Sequence, residues 1–105
     1  MPRWLPTILQ RIHRLVAAGN VRFTLKSLRD LVELDLELDE MAAVAILARL
    51  KAGDSAGRLR SEGTGEWLYV FMPRLAGDKL YVKLLVRTDC VVISFHEQVD
   101  DEEDN

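Results

Sequence analysis

Tyr81 and Lys83 lie two residues apart in one apolar run, and Ser94 and His96 lie two residues apart in the next. Along a β-strand that spacing keeps side chains on one face. With Thr88-Asp89 as a two-residue turn, Arg87 pairs with Cys90, Lys83 stands opposite Ser94, and Tyr81 stands opposite His96. One face of the hairpin then reads Tyr81, Lys83 and Leu85 beside Val92, Ser94 and His96. The other reads Leu80, Val82, Leu84 and Val86 beside Val91, Ile93 and Phe95, which is a clean core face. The pattern predicts a polar platform bearing a cation, a phenol and an imidazole, although a slip of one residue would exchange the faces.

Such a group suits RNA cleavage without a metal. That reaction needs a base for the 2′-hydroxyl proton, an acid for the departing 5′-oxygen, and cations to hold the phosphate as charge builds on it. Histidine serves as either proton carrier near neutral pH. Tyrosine donates a proton or stacks on a splayed base, while lysine and arginine hold phosphate. A Tyr–His cross-strand pair is also an ordinary structural contact, and the pattern alone leaves both readings open. His13, Cys90 and His96 make no metal-ligand spacing, and no glycine-rich phosphate loop is present, so neither a metal nor a cofactor is expected.

The elements that must position the platform follow from periodicity. Thr7 with Gln10 reads as a capping box opening a helix that carries Ile8, Ile12, Leu15 and Val16 and stops at Gly19. Val21 to Phe23 is a short extended piece. Thr24 caps a second helix with Leu25, Leu28, Leu31 and Val32 on one side. After an acidic loop around Asp35 and Glu37, Asp39 caps a third helix carrying Met41, Val44, Ala45 and Ala48, which runs to about Gly53. Residues 53–66, with four glycines among polar residues, read as a loop or irregular edge. Three β-rich runs follow, Trp67 to Met72, Lys79 to Val86 and Val91 to Glu97, with a turn at Ala76-Gly77-Asp78 between the first two. Helices first and a meander second indicate an α+β domain, with N-terminal helices packed on a mainly antiparallel sheet.

At 105 residues the chain is one domain, assigned to residues 1–99, with a disordered acidic tail over residues 100–105. The net charge of −3 conceals an uneven distribution, because five of the 17 acids lie in the last six residues. Without them 14 basic residues outnumber 12 acidic ones, so the body can attract a polyanion. No apolar run approaches the roughly 18 residues of a membrane span, and no signal peptide is recognisable, so no membrane association is expected. The single cysteine builds no disulfide framework, which points to a reducing cytoplasm.

Over residues 6–97 the chain resembles the motility quorum-sensing regulator (MqsR) toxin family. The resemblance is carried by Gly19-Asn20-Val21-Arg22-Phe23-Thr24, Val32-Glu33-Leu34-Asp35-Leu36, Trp67 through Leu75, Leu80-Tyr81-Val82-Lys83, and Val91-Val92-Ile93-Ser94-Phe95-His96-Glu97. No one segment is diagnostic, but the last three in order at family-like spacing are far more specific. The resemblance implies a RelE-like fold and ribosome-independent cleavage of messenger RNA. It also implies neutralisation by a cognate antitoxin encoded by an adjacent gene. The family's active-site tyrosine falls on Tyr81. Its C-terminal lysine falls on His96, its glutamine after the tryptophan on Leu68, and its other lysine between Gly57 and Arg58, with Arg58 preferred. Leu68 has no hydrogen-bonding group, so the family's cleavage preference does not carry over.

The expected function is therefore that of a cytoplasmic endoribonuclease toxin of a type II toxin–antitoxin pair, cutting mRNA without a metal. His96, Tyr81 and Arg58 are the candidate catalytic residues, and Lys83, Arg74 and Arg60 the candidate RNA contacts. The alternative is a catalytically degenerate member acting as an RNA- or antitoxin-binding regulatory module. Because an acidic segment can only repel RNA, deleting residues 100–105 should leave binding to single-stranded RNA intact or tighten it, and binding should weaken steeply with salt. A large loss of affinity on truncation, measured by fluorescence anisotropy, would assign the tail a direct role instead.

Overall fold

The computed structural model describes residues 1–34 and 36–98, so the expected tail, like Asp35 in the acidic loop, lies outside the described residues. Helix α1 (Trp4–Ala17) buries Leu5, Ile8, Ile12 and Val16, one stripe at helical spacing. It begins three residues before Thr7, so the Thr7–Gln10 capping box does not form. Pro6 is accommodated because it sits in the first turn, where backbone N–H groups have no helical partner to lose. The helix stops at Gly19, whose φ is +78°. Gly19 N–H donates to the Val16 carbonyl at 3.0 Å and Asn20 N–H to that of Leu15 at 2.8 Å, a Schellman closure.

Strand β1 (Val21–Phe23) follows, then α2 (Leu25–Glu33), capped as expected by the Thr24 hydroxyl, which accepts from Ser27 N–H. The expected apolar side of α2 is only partly buried. Leu31 is inside and Leu28 half-buried, whereas Leu25 and Val32 are 73% and 84% exposed. The second fully buried α2 residue is Ser27, whose hydroxyl donates back to the Thr24 carbonyl. Helix α3 (Glu40–Ala48) is capped by Asp39 and buries Ala43 and Leu47. It ends at Ala48 instead of reaching Gly53, and Met41, expected on its packed side, is 81% exposed. His13 ties α1 to the end of α3 by donating from Nε2 to the Leu50 carbonyl at 2.8 Å.

The remaining strands are β2 (Ser55–Arg60), β3 (Trp67–Phe71), β4 (Arg74–Leu75), β5 (Asp78–Val86) and β6 (Cys90–Glu97). The sheet order is β1-β6-β5-β3-β2, with β4 hairpinned onto β5; β1 runs parallel to β6 and the other pairings are antiparallel. The fold is the expected α+β arrangement. Residues 55–60, read from sequence as loop or irregular edge, form the edge strand, interrupted where Gly57 at φ +102° breaks the register between Ser55 and Arg58.

The β5–β6 connection differs from the two-residue turn expected. Val86 pairs with Cys90 across a three-residue loop, and a bulge at Ile93 restores the expected register beyond it, where Lys83 faces Ser94 and Tyr81 faces His96. The bulge turns Val92 onto the core face with Leu84, and Val91 onto the opposite face with Leu85. Arg87 in this loop grips the Glu66 carboxylate with two hydrogen bonds, of 2.8 and 2.5 Å. Those bonds hold the Glu66 carboxyl below the usual carboxylate range. Cys90 is fully buried, and that burial, with Asp89 adding to it, pushes its thiol up to about 12.

Leu75 pairs with Asp78, so Ala76 and Gly77, at φ +54° and +86°, form the two-residue hairpin turn of type I′. Alanine is strained there, whereas asparagine tolerates the left-handed region. Ala76→Asn should therefore raise stability, by at most about 1–2 kcal/mol, the cost of the left-handed conformation to an ordinary residue. A urea midpoint that stays put or falls would speak against this turn.

Candidate functional site

Strand β5 alternates without interruption. Leu80, Val82 and Leu84 are fully buried in the core, while Tyr81, Lys83 and Leu85 between them are half-exposed on the other face. Opposite Tyr81, the His96 ring lies parallel to the phenol, with centroids 5.1 Å apart and planes inclined by 10°. His96 Nδ1 is 3.0 Å from the Glu97 carbonyl, an acceptor, so Nδ1 carries the hydrogen and the neutral imidazole presents a bare Nε2. The next row across three strands is Val70, Lys83 and Ser94. The structure thus brings Tyr81, Lys83 and His96 together on one sheet face.

Helix α2 closes one margin of this face. Because β1 ends at Phe23, the outer edge of β6 beyond Val92 has no strand partner, and α2 covers it. Thr24 donates to the Val92 carbonyl from both its N–H and its hydroxyl, and the Asp30 carboxylate accepts from Phe95 N–H at 3.0 Å. The same Asp30 oxygen accepts from Lys26 Nζ at 2.8 Å, and Lys26 also donates to Ser94 Oγ at 3.1 Å. Lys26 is therefore a second cation beside the Lys83–Ser94 row. No local pattern marks it, since the contact spans 68 residues of sequence.

Arg58 and Arg60 do not join this group. Each stands opposite a residue on the α1 side of the sheet, Arg58 opposite Tyr69 and Arg60 opposite Trp67. Their guanidinium carbons lie 3.7 and 4.0 Å from the Trp67 ring centroid, and Arg58 is also 4.9 Å from that of Trp4. These are cation–π contacts that fasten the edge strand over the end of α1. On the platform side β2 offers Leu59, paired with Leu68, so the position adjoining the site is apolar on both strands. Arg74 is exposed on β4 directly opposite Lys79. Lys79 has the same strand parity as Tyr81 and Lys83, and the two-residue spacing that exposed those two in the sequence would have found it as well.

Among the described residues no helix is long and apolar enough to cross a membrane. The sequence family described as "Motility quorum-sensing regulator, toxin of MqsA" matches residues 6–97. The chain is also 33% identical over 93 residues to the mRNA interferase toxin MqsR of Escherichia coli (strain K12), an alignment covering 88% of this chain and 93% of that relative.

The margin of the face depends on Asp30, whose side chain is only 12% exposed. Asp30→Ala strands the Phe95 N–H and frees Lys26, so it should cost about 1–3 kcal/mol, while Lys26→Ala should cost far less. Equal effects of the two substitutions in chemical denaturation would show that the carboxylate's hold on β6 is not what matters.

Proposed function

The chain belongs to the motility quorum-sensing regulator toxin family, and from that membership and the chemistry of its platform we propose that it is an endoribonuclease toxin that cleaves mRNA without a metal. The observation that carries the reading is the Tyr81–His96 pair with Lys83 beside it, all three partly exposed on one face of the sheet. With Nδ1 tied to the Glu97 carbonyl, His96 accepts the 2′-hydroxyl proton at Nε2. The 2′-oxygen attacks the adjacent phosphorus and the bond to the 5′-oxygen breaks. The products are a 2′,3′-cyclic phosphate and a 5′-hydroxyl, whose proton comes from a protonated imidazole or from solvent. Lys83 holds the phosphate as charge builds on it. Tyr81 keeps the imidazole plane fixed and presents its hydroxyl to the substrate. Arg74 contacts the RNA backbone beyond Lys83. Arg58 and Arg60, stacked on Trp67 at the β2 edge, act in binding and not in proton transfer. By the same membership the protein is cytoplasmic and is restrained by an antitoxin protein encoded beside it.

The test is incubation of purified protein with a mixed single-stranded RNA, followed by mapping of the cut ends. Cleavage should survive EDTA and leave cyclic phosphates. His96→Ala should reduce it by roughly 10²–10⁴-fold without unfolding the protein. His96→Lys separates two roles, since lysine restores positive charge but not a neutral-range proton carrier. If the imidazole transfers a proton, the lysine variant stays inactive, whereas it is active if position 96 supplies only positive charge. Full activity in a folded His96→Ala protein would remove His96 from the mechanism. A folded wild type that cuts no RNA would leave only the RNA- or antitoxin-binding module.

A further inference from the structure

Beyond the platform, the sheet ends in an open cleft of about 620 Å³ between the end of α3 and the β4–β5 hairpin. Among the described residues four cations line it, Arg49, Lys51, Arg74 and Lys79, against a single carboxylate, Asp54. That carboxylate is already engaged, because its Oδ2 accepts from Lys51 N–H at 3.0 Å. Among the described residues, none of the four cationic side chains makes an ion pair or side-chain hydrogen bond. Four cations facing one carboxylate leave a net positive field, which a bound polyanion relieves. A smaller depression at the end of α1 holds two arginines, Arg11 and Arg14, and the one between β1 and α3 is mainly apolar, with Val21, Phe23, Met41 and Val44 beside Glu40.

The cleft also continues the site already described. Lys79, Tyr81 and Lys83 follow one another at two-residue steps along β5, about 6.6 Å apart at strand rise. Arg74 stands directly beside Lys79, and Lys51 and Arg49 carry the positive line on towards α3. Among the described residues no aromatic side chain lines the cleft, so they offer no platform for stacking bases and suit the sugar-phosphate backbone. We infer that this cleft is a second, sequence-independent subsite that binds the phosphates of the RNA strand whose scissile bond lies over Tyr81 and His96. The inference rests on the nuclease reading above for the direction of the strand, but the cleft's affinity for RNA is measurable without any cleavage.

Binding of uncleavable 2′-O-methyl oligonucleotides of roughly 4 and 12 nucleotides, a short and a longer length within the site sizes of common single-strand binders, tests it with the full chain. The wild type should bind the longer oligonucleotide more tightly. The Arg49→Gln/Lys51→Gln double variant and the Lys79→Gln variant should lose that advantage while binding the shorter one as before. For the double variant the loss should be roughly 10-fold or more at 0.1 M salt, with the salt slope falling by about 1.4 for two phosphate contacts removed. A double variant that melts like the wild type yet keeps its full affinity and slope overturns the subsite. So does one that keeps RNA affinity and loses only the antitoxin, which would make the cleft a protein-docking surface. Absence of cleavage with the length-dependent loss intact would refute the nuclease reading and leave the cleft standing; cleavage with no such loss would do the reverse.

Discussion

The uninterrupted alternation of β5 is the constraint on which the other parts of the molecule depend. Leu80, Val82 and Leu84 must all reach the core beneath α1, and each is fully buried. A strand's side chains point alternately to its two faces, so their burial leaves Lys79, Tyr81, Lys83 and Leu85 no freedom to turn inward. Burying three such side chains contributes on the order of 5–9 kcal/mol, far more than any polar group on the other face could recover by inverting the strand. The chemical groups are thus held in place by the core and not by one another. Solvent-facing polar residues can change there with little effect on folding, which is how a family can exchange residues at its site and retain its fold.

Strand β6 meets the same demand less directly. Phe95 must face the core with Val82, and Val92 with Leu84, yet an odd number of positions separates them. Ile93 absorbs the extra residue as a bulge, which keeps Ser94 and His96 on the platform while Val92 turns inward. The bulge lies just beyond the end of β1, where the outer edge of β6 loses its partner strand. There Asp30 supplies the missing acceptor for Phe95 N–H, and its second duty is to fix Lys26 against Ser94. One carboxylate on α2 therefore repairs the sheet edge and places a cation at the margin of the site.

The part of this architecture legible in the sequence was the part written as periodicity. Alternation exposed the core and platform faces of β5, and capping residues marked α2 and α3. The bulge was hidden because Cys90, Val91, Val92 and Ile93 are all apolar and carry no parity to reveal a shift. Two errors then cancelled: the turn was read one residue too short, and the bulge restored the register in time for Tyr81 and His96 to be paired correctly. Strand β2 was obscured by Gly57, whose left-handed backbone breaks the register, and by a composition that reads as loop. The exposed Leu25 and Val32 show the limit of treating hydrophobicity as direction, since α2 buries Ser27 where it lies close to β6. Lys26, Asp30 and the cleft are assembled from distant segments, and nothing in local sequence announces them.

The residue at position 96 gives this arrangement its chemical logic. The family resemblance puts a lysine there, and an ammonium attracts phosphate throughout the physiological range. An imidazole does so only when protonated, and in its neutral form it presents a lone pair at Nε2. On the proposed reading the imidazole offers a proton acceptor where the resemblance implies a permanent charge, while Leu68 and Leu59 leave the neighbouring row apolar. Fixed positive charge on the platform is then carried by Lys83, with Lys26 partly neutralised by Asp30. Electrostatic capture of a polyanion requires several unpaired cations acting together, and the chain concentrates these in the cleft at the end of β5. Proton transfer, on the same reading, belongs to His96 on β6 and electrostatic attraction to the cleft, with Lys79 of β5 lying between the two.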